Sequence, residues 1–555
     1  MADGAEQQRA GQEQAGQEQA GQQGGAGERH AVTPPAGHAP RSVSPGVSSD
    51  ASPGTSSGAS PGSGWSSGWG SGWSFGLGGL ADDLIDSVER LRTDAGSAFE
   101  STVSVGVTGL AGAGKTVFVT ALAAALLDRA RLRRLPGAER IRAAVLRPQP
   151  DPAVPRFALE AHLDTLRADP PAWPRSTRSV SQLRIALRLA PSGIAGTIAE
   201  HVAGISGYNT LNLDITDYPG EWLLDLPLIE TDYETWAATA LADAARPARA
   251  GAATGWAAAL AAVDPAGAHG EPAAEALAAA WTGYLQACRQ AGFSTLAPGR
   301  FLMPGEFEGS PALAFAPLPR PDTVRGRAPG SLWAEMRRRY DAYRANVVKP
   351  FFRRHFTRLD RQVVLVDPLA ALERGPAALA DMTEALGAVM ASFRHGRSGW
   401  LDRLMGARRI ARVLVAATKA DRLHHTQHDA HARLIEAMLA DATRQASFDG
   451  AEVRAMAIAS LRATAEHEQM TPDGPLAMVR GIPKDGARET ALHPGALPED
   501  PAAFLAAARA GETPDWPDGA RFRSLDFRPP RWGAGPPPHI RLDSALDFLI
   551  GDRLG

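Results

Sequence analysis

The run Gly109-Leu110-Ala111-Gly112-Ala113-Gly114-Lys115-Thr116 satisfies the spacing G-x-x-x-x-G-K-[ST]. Its glycines let successive backbone N–H groups turn toward one anion, and a helix beginning at its end offers the positive pole of its dipole to the same place. Lys115 is placed to meet β and γ phosphates, and the Thr116 hydroxyl to ligate Mg²⁺. Gly109, Gly112, Ala113, Gly114, Lys115, Thr116 and Val117 are therefore candidate nucleotide contacts. An ordinary glycine-rich strand-to-helix turn is the competing reading, yet chance supplies only about 0.03 such matches in a chain of this length.

A second chemical signal closes the apolar run Leu211 to Ile215, where Asp217-Tyr218-Pro219-Gly220 has the form D-x-x-G. Asp217 would hold Mg²⁺ through a water, and the Gly220 N–H would sense the γ-phosphate. Asp214 is the competing acid, but strand alternation keeps it within the sheet. Glu221 follows, where small GTPases often carry a water-orienting Gln. A carboxylate accepts a hydrogen bond from water but repels the γ-phosphate when ionised, so slow turnover is expected. A further threonine should reach Mg²⁺ from a loop, and Thr177, in the segment Pro170 to Arg178, is the candidate. Arg175 and Arg178 flank it, and either is a candidate cationic finger.

The base would be read by Thr418-Lys419-Ala420-Asp421, which follows the run Arg412 to Ala417. The Asp421 carboxylate can accept from guanine N1–H and its exocyclic amine together, while Lys419 lies along the ring. Adenine presents an acceptor at N1 and would be repelled. Charged hydrogen bonds of this type contribute roughly 1.5–3 kcal/mol each. A helix N-cap is the bland alternative for Asp421. Ser460, after a later strand, is a candidate backbone donor to the guanine oxygen.

Together these runs resemble the YcjX-like family of bacterial P-loop GTP-binding proteins. The resemblance rests on Thr108 through Thr116, on Asp214-Ile215-Thr216-Asp217-Tyr218-Pro219-Gly220-Glu221-Trp222-Leu223-Leu224-Asp225-Leu226-Pro227, on Ala417 through Asp421, and on Pro538-His539-Ile540-Arg541-Leu542. It covers the chain from about residue 82 onward. It implies a Ras-like GTPase core with a large helical insertion, modest GTP hydrolysis, and a stress-related role beside a membrane-protein partner.

The positioning elements are legible as short β-branched runs separated by helical stretches: Val103 to Val107, Arg184 to Leu189, Leu211 to Ile215, Gln362 to Val366, Arg412 to Ala417 and Val453 to Ile458. Runs apolar nearly throughout suit parallel strands covered on both faces, so the class is α/β with a mainly parallel sheet. Ala-rich, Trp-bearing helical sequence occupies residues 227–350 and reads as an insertion between core segments 79–226 and 351–555. Residues 476–538 read as long ordered loops. Residues 1–78, rich in Gly, Ser, Gln and Pro, bury too little apolar surface to fold. A short amphipathic helix is expected from Leu80, through Leu84, Ile85, Val88 and Leu91.

Composition narrows the function. Lys plus Arg is 58 against 61 Asp plus Glu, which argues against a charge-driven nucleic-acid binder. The single Cys288 excludes an intramolecular disulfide, and no apolar run is long enough to span a membrane. A cytoplasmic place is expected, with a peripheral position at the inner membrane implied by the family's partner. Three G-x-S-x-G matches and the Trp65, Trp69 and Trp73 cluster fall in the Gly/Ser tract, where no nucleophile elbow can form. His424, His425, His428 and His431 read as solvent-exposed, without a carboxylate or cysteine framework for a metal. The leading function is a slow Mg²⁺-dependent GTPase switch binding GTP and GDP. An ATPase and a nucleotide-stabilised, membrane-associated scaffold are the alternatives.

Overall fold

The computed structural model describes residues 100–554 apart from 111, 129–131, 133, 177, 191–208, 324–326, 393–409, 449–450, 473, 513–520, 534 and 536. The expected unfolded tail, its three tryptophans and the helix from Leu80 lie outside the described residues, as does Thr177.

Seven strands form one sheet: β1 (Glu100–Gly109), β2 (Ile141–Arg147), β3 (Ser181–Leu189), β4 (Asn209–Asp217), β5 (Arg361–Val366), β6 (Arg412–Ala417) and β7 (Glu452–Ala457), in the order β2-β3-β4-β1-β5-β6-β7. The five strands β4, β1, β5, β6 and β7 are mutually parallel, while β3 runs antiparallel to β4 and β2 antiparallel to β3. The expected α/β class with a mainly parallel sheet is what the chain adopts. Register brings Val107 beside Asp217, Gly109 beside Leu365, and Val366 beside Ala417. The carboxyl ends of these strands thus share one rim, where ligands of open α/β sheets bind.

Strand alternation divides the core into two layers. Val363, Leu365, Leu414 and Ala416 pack with α1 (Lys115–Leu127) and the C-terminal helix on one face; Val364, Val366, Val413 and Val415 face the other. Every residue of β5 is buried, and its last four, Val363 to Val366, are apolar, as suits a strand covered on both faces. After α2 (Leu159–Arg167) and β4 comes a helical segment: α3 (Tyr233–Ala244), α4 (Ala250–Ala261), α5 (Glu271–Ala291), α6 (Leu332–Tyr343) and α7 (Lys349–His355). Small alanines let these helices approach, and large rings fill the remaining space: Trp236 stacks on Tyr340 with centroids 4.8 Å apart, and Trp281 meets Trp256 edge-on at 5.1 Å.

Beyond β5 the order is α8 (Pro368–Arg374), α9 (Pro376–Ser392), β6, α10 (His428–Phe448), β7, a three-stranded antiparallel sheet of β8 (Ala465–Thr471), β9 (Gly474–Gly481) and β10 (Thr490–Leu492), then α11 (Pro501–Ala510) and α12 (Leu542–Leu554). So the segment expected to be long loops holds two strands and a helix. Its companion β8, Ala-Glu-His-Glu-Gln-Met-Thr, is nearly all polar and mostly exposed, so it carries no apolar alternation to announce it.

Helix α12 closes the molecule over the sheet. Arg361, almost wholly buried at the start of β5, reaches Asp552 at 2.7 Å, and Leu546 sits fully buried against β1 and β4 residues. Leu546→Ala should therefore cost about 2–5 kcal/mol. In urea unfolding the midpoint should fall while the slope stays constant. A loss below about 0.5 kcal/mol would show that α12 is peripheral rather than part of the core.

Candidate functional site

The phosphate loop is built by the end of β1 and the start of α1. Leu110 N–H donates to Leu365 O at 3.0 Å, tying the loop to β5. Gly112 and Gly114 then take φ of 77° and 79°, a left-handed conformation that side chains resist. Because residue 114 is Gly, no side chain caps α1, and its first N–H groups remain for a ligand. The Lys115 ammonium lies 3.8 Å from Asp217, and Thr116 Oγ1 donates to Arg175 O at 3.4 Å.

Asp217 is the last residue of β4 and is buried. Asp214, three residues before the end of the strand and on the same alternation as Asn212 and Thr216, makes a bidentate pair with Arg184 at 2.6 and 2.7 Å and belongs to the sheet. Gly220 packs directly on the phosphate loop: a β-carbon there would lie 1.6 Å from Gly109 O. On the far side, a β-carbon on Gly299 would lie 1.8 Å from Glu221 O. The segment is also gripped by its side chains. Trp222 Nε1 donates to Met303 O at 2.7 Å, with the Arg300 guanidinium 3.3 Å above its ring. Asp225 accepts from Gly299 N–H and from Tyr343 O–H, both at 2.7 Å. Burial nevertheless pushes the Asp225 carboxyl up to about 6.

At the other end of the rim, Thr418 N–H and Oγ1 both donate to Val366 O. Lys419 adopts φ 60° and pairs with Asp367 at 2.5 Å. Burial opposes charge on Asp367, but the Lys419 and Arg422 cations bring its carboxyl below the usual range. Asp421 is buried, which raises its carboxyl, while Ala463 N–H donates to its Oδ2 at 2.8 Å and the Thr464 hydroxyl donates to its backbone oxygen. Ser460 follows β7, and its neighbour Ala459 exchanges two backbone hydrogen bonds with Ile540. The terminal Pro538 to Leu542 run therefore clamps this loop.

Both ends open into one cavity of about 390 Å³. Gly109, Gly112, Ala113, Gly114, Lys115, Thr116 and Val117 line one part, Thr418, Lys419, Asp421 and Ser460 another, and Glu221 stands between the phosphate loop and the helical segment. Asp217 and Gly220 support the loop from behind through Lys115 and Gly109. Thr177 lies outside the described residues; its neighbour Ser176 lines the cavity. Arg175 and Arg178 are exposed and are not among the described lining residues.

The cavity also contains residues that the sequence did not single out. Arg289, in the last turn of α5, comes within 4.0 Å of Glu221. Trp173, Lys484 and Phe527 add further walls. No local spacing connects any of them to the phosphate run. One expectation is overturned: His424, His428 and His431 are buried rather than solvent-exposed, the last two on α10, which packs against β6 and β7. His428 Nε2 donates to Ala420 O at 2.9 Å. Carboxylates also accompany the run, since Glu466 approaches His424 and His425.

The model of the YcjX-like family, DUF463, matches residues 103–554. A protein named "Ras-like GTPase YcjX" from Escherichia coli is 37% identical over 470 residues, covering 81% of this chain and 95% of that protein. A protein of the same name from Shewanella oneidensis is 35% identical over 479 residues, covering 81% and 94%.

The Asp225 grip has a pH signature. Its folded-state value of about 6 stands above the ordinary 3.8, so the native state holds the extra proton between them. The group's contribution is fully present below pH ~4 and is lost as pH rises through ~6. Asp225→Asn should remove that dependence. Relative to wild type, the variant's unfolding free energy should rise between pH 4 and 6 and level off above, whatever constant offset the lost hydrogen bonds impose. A flat difference would mean that Asp225 ionises normally.

Proposed function

The chain belongs to the YcjX-like family, and on that premise we propose that it binds GTP and GDP with Mg²⁺, hydrolyses GTP slowly, and acts as a nucleotide-dependent switch. The observation that supports this most strongly is the single cavity shared by the phosphate loop and the Thr418 to Asp421 loop. Lys115 and the N–H groups opening α1 take the phosphates. Asp421, oriented by Ala463, takes the N1–H and amine of guanine, and Lys419, held by Asp367, lies beside the base. The Thr116 hydroxyl and the Asp217 carboxylate are hard oxygen donors of the kind Mg²⁺ prefers; Thr116 follows Lys115 in the chain, and Asp217 lies 3.8 Å from the Lys115 ammonium. When bound, Mg²⁺ would neutralise charge developing on the β and γ oxygens.

Glu221 and Arg289 occupy the hydrolytic end. The guanidinium near the carboxylate offsets its repulsion of the γ-phosphate, so Glu221 can accept a hydrogen bond from the attacking water. Arg289 adds a cation supplied in cis by α5. Thr177 remains the proposed switch threonine. Residues 79–226 and 351–555 form the proposed GTPase core, and residues 227–350 the insertion that reports its state. The family resemblance extends the proposal to a stress-related role beside a membrane-protein partner; among the described residues no helix is long and apolar enough to cross a membrane.

Two substitutions test the proposal. Asp421→Asn should weaken GTP binding by at least about tenfold and create binding of xanthosine triphosphate, measured by competition against a fluorescent nucleotide. Unchanged GTP affinity, or preferential ATP binding by wild type, contradicts the base assignment. Arg289→Ala should slow single-turnover GTP hydrolysis by about tenfold or more while leaving GDP affinity within a factor of about three. An unchanged hydrolysis rate removes Arg289 from the chemistry.

A further inference from the structure

Immediately beyond the base-reading loop, two imidazoles meet a carboxylate from a different element. The ligand atoms of His424, His425 and Glu466 all lie within 4.8 Å of one another. His424 is 3% exposed, and its Nδ1 shares a hydrogen bond with Thr426 Oγ1 at 3.0 Å. Its Nε2 faces Glu466 Oε2 at 3.9 Å and Glu468 Oε1 at 4.0 Å. The other Glu466 oxygen is held by Arg462 Nη2 at 3.2 Å, so Oε2 is the atom turned to both rings. His425 Nδ1 donates to that same Oε2 at 2.7 Å and is open to solvent, which gives a cation access.

We infer that His424, His425 and Glu466 form a binding site for one divalent transition-metal ion of the Zn²⁺ class, with Glu468 in reach as a fourth ligand. Two neutral imidazoles with one or two carboxylates are a donor set that suits Zn²⁺, Co²⁺ or Ni²⁺ better than Mg²⁺ or Ca²⁺, which prefer all-oxygen shells. Binding needs the Nδ1 lone pair of His425: in the neutral ring the proton moves from Nδ1 to the solvent-facing Nε2, and the ion takes its place between Nδ1 and Glu466 Oε2. The site is separate from the oxygen donors beside the phosphate loop.

Its position gives the ion a consequence. His424 and His425 stand three and four residues after Asp421, and Glu466 follows Ala463 and Thr464, the two residues that hold Asp421 by hydrogen bonds. The ion therefore cross-links the same two segments that set the Asp421 carboxylate. On the reading that Asp421 binds guanine, occupancy should slow nucleotide release.

The test uses the full chain, stripped with a chelator and titrated calorimetrically with ZnCl₂ in excess Mg²⁺. A saturable site should appear that His425→Ala and Glu466→Gln each weaken by at least about tenfold, while Lys115→Ala keeps it. His425 is exposed, so its variant should retain the wild-type circular dichroism. Cobalt in place of zinc should show the d–d absorption of a four-coordinate ion in wild type and lose it in both variants. No saturable zinc binding, or binding equal in wild type and variants, overturns the site. Zinc should also slow release of a fluorescent GDP analogue from wild type but not from His425→Ala; bound zinc without that slowing overturns the link to the base loop. A chain that binds zinc but no guanine nucleotide would sink the proposed function and leave the metal site standing.

Discussion

The carbonyl oxygen of Gly109 fills the space that any side chain on residue 220 would need, and most of the site follows from that contact. It presses the turn after β4 against the phosphate loop with no intervening atom. Gly299 repeats the device one layer outward, against Glu221 O. Two glycines from distant parts of the chain thus bring three backbones together: phosphate loop, Asp217 to Asp225 turn, and helical segment. Interfaces this close are bistable rather than compliant, because packed atoms cannot be compressed. A displacement of a few tenths of an ångström at Gly220 must be taken up by the helices.

The surrounding contacts hold the same turn from its other sides. Asp225 is buried between Gly299 and Tyr343, and the Trp222 ring lies under Arg300. A buried carboxylate with two donors is costly to disturb, since either lost partner leaves an uncompensated polar group. Arg289 approaches Glu221 from the same helical segment. The turn from Gly220 to Asp225 is therefore held by the helical segment as well as by the end of the sheet. At the opposite end, the Ala459 and Ile540 exchange and the Asp421 to Ala463 hydrogen bond hold the Thr418 to Asp421 loop.

Much of this was legible in the sequence because the parallel strands write short runs rich in Val, Leu, Ile and Ala. The runs at Val103, Leu211, Gln362, Arg412 and Val453 mark strands of one sheet, whose carboxyl ends lead into the loop before Lys115, Asp217 and the loop holding Asp421. The edge strand β2 and the polar β8 left no such trace, since exposure removes the need for apolar residues. Arg289 was invisible for another reason: a cation on a helix end has no local spacing to mark it, and only the fold brings it to Glu221. The histidine run misled because single-sequence reading sees no burial, and the Glu466 partner comes from a strand with no apolar signature.

The interlock itself is the central claim, and hydrogen–deuterium exchange on the full chain tests it most directly. The chain would be compared when loaded with GDP and with a non-hydrolysable GTP analogue. Altered protection should spread from the turn at 217–226 into the segments around Gly299, Met303 and Tyr343. Changes confined to residues 109–117, with the helices exchanging identically in both states, would contradict it.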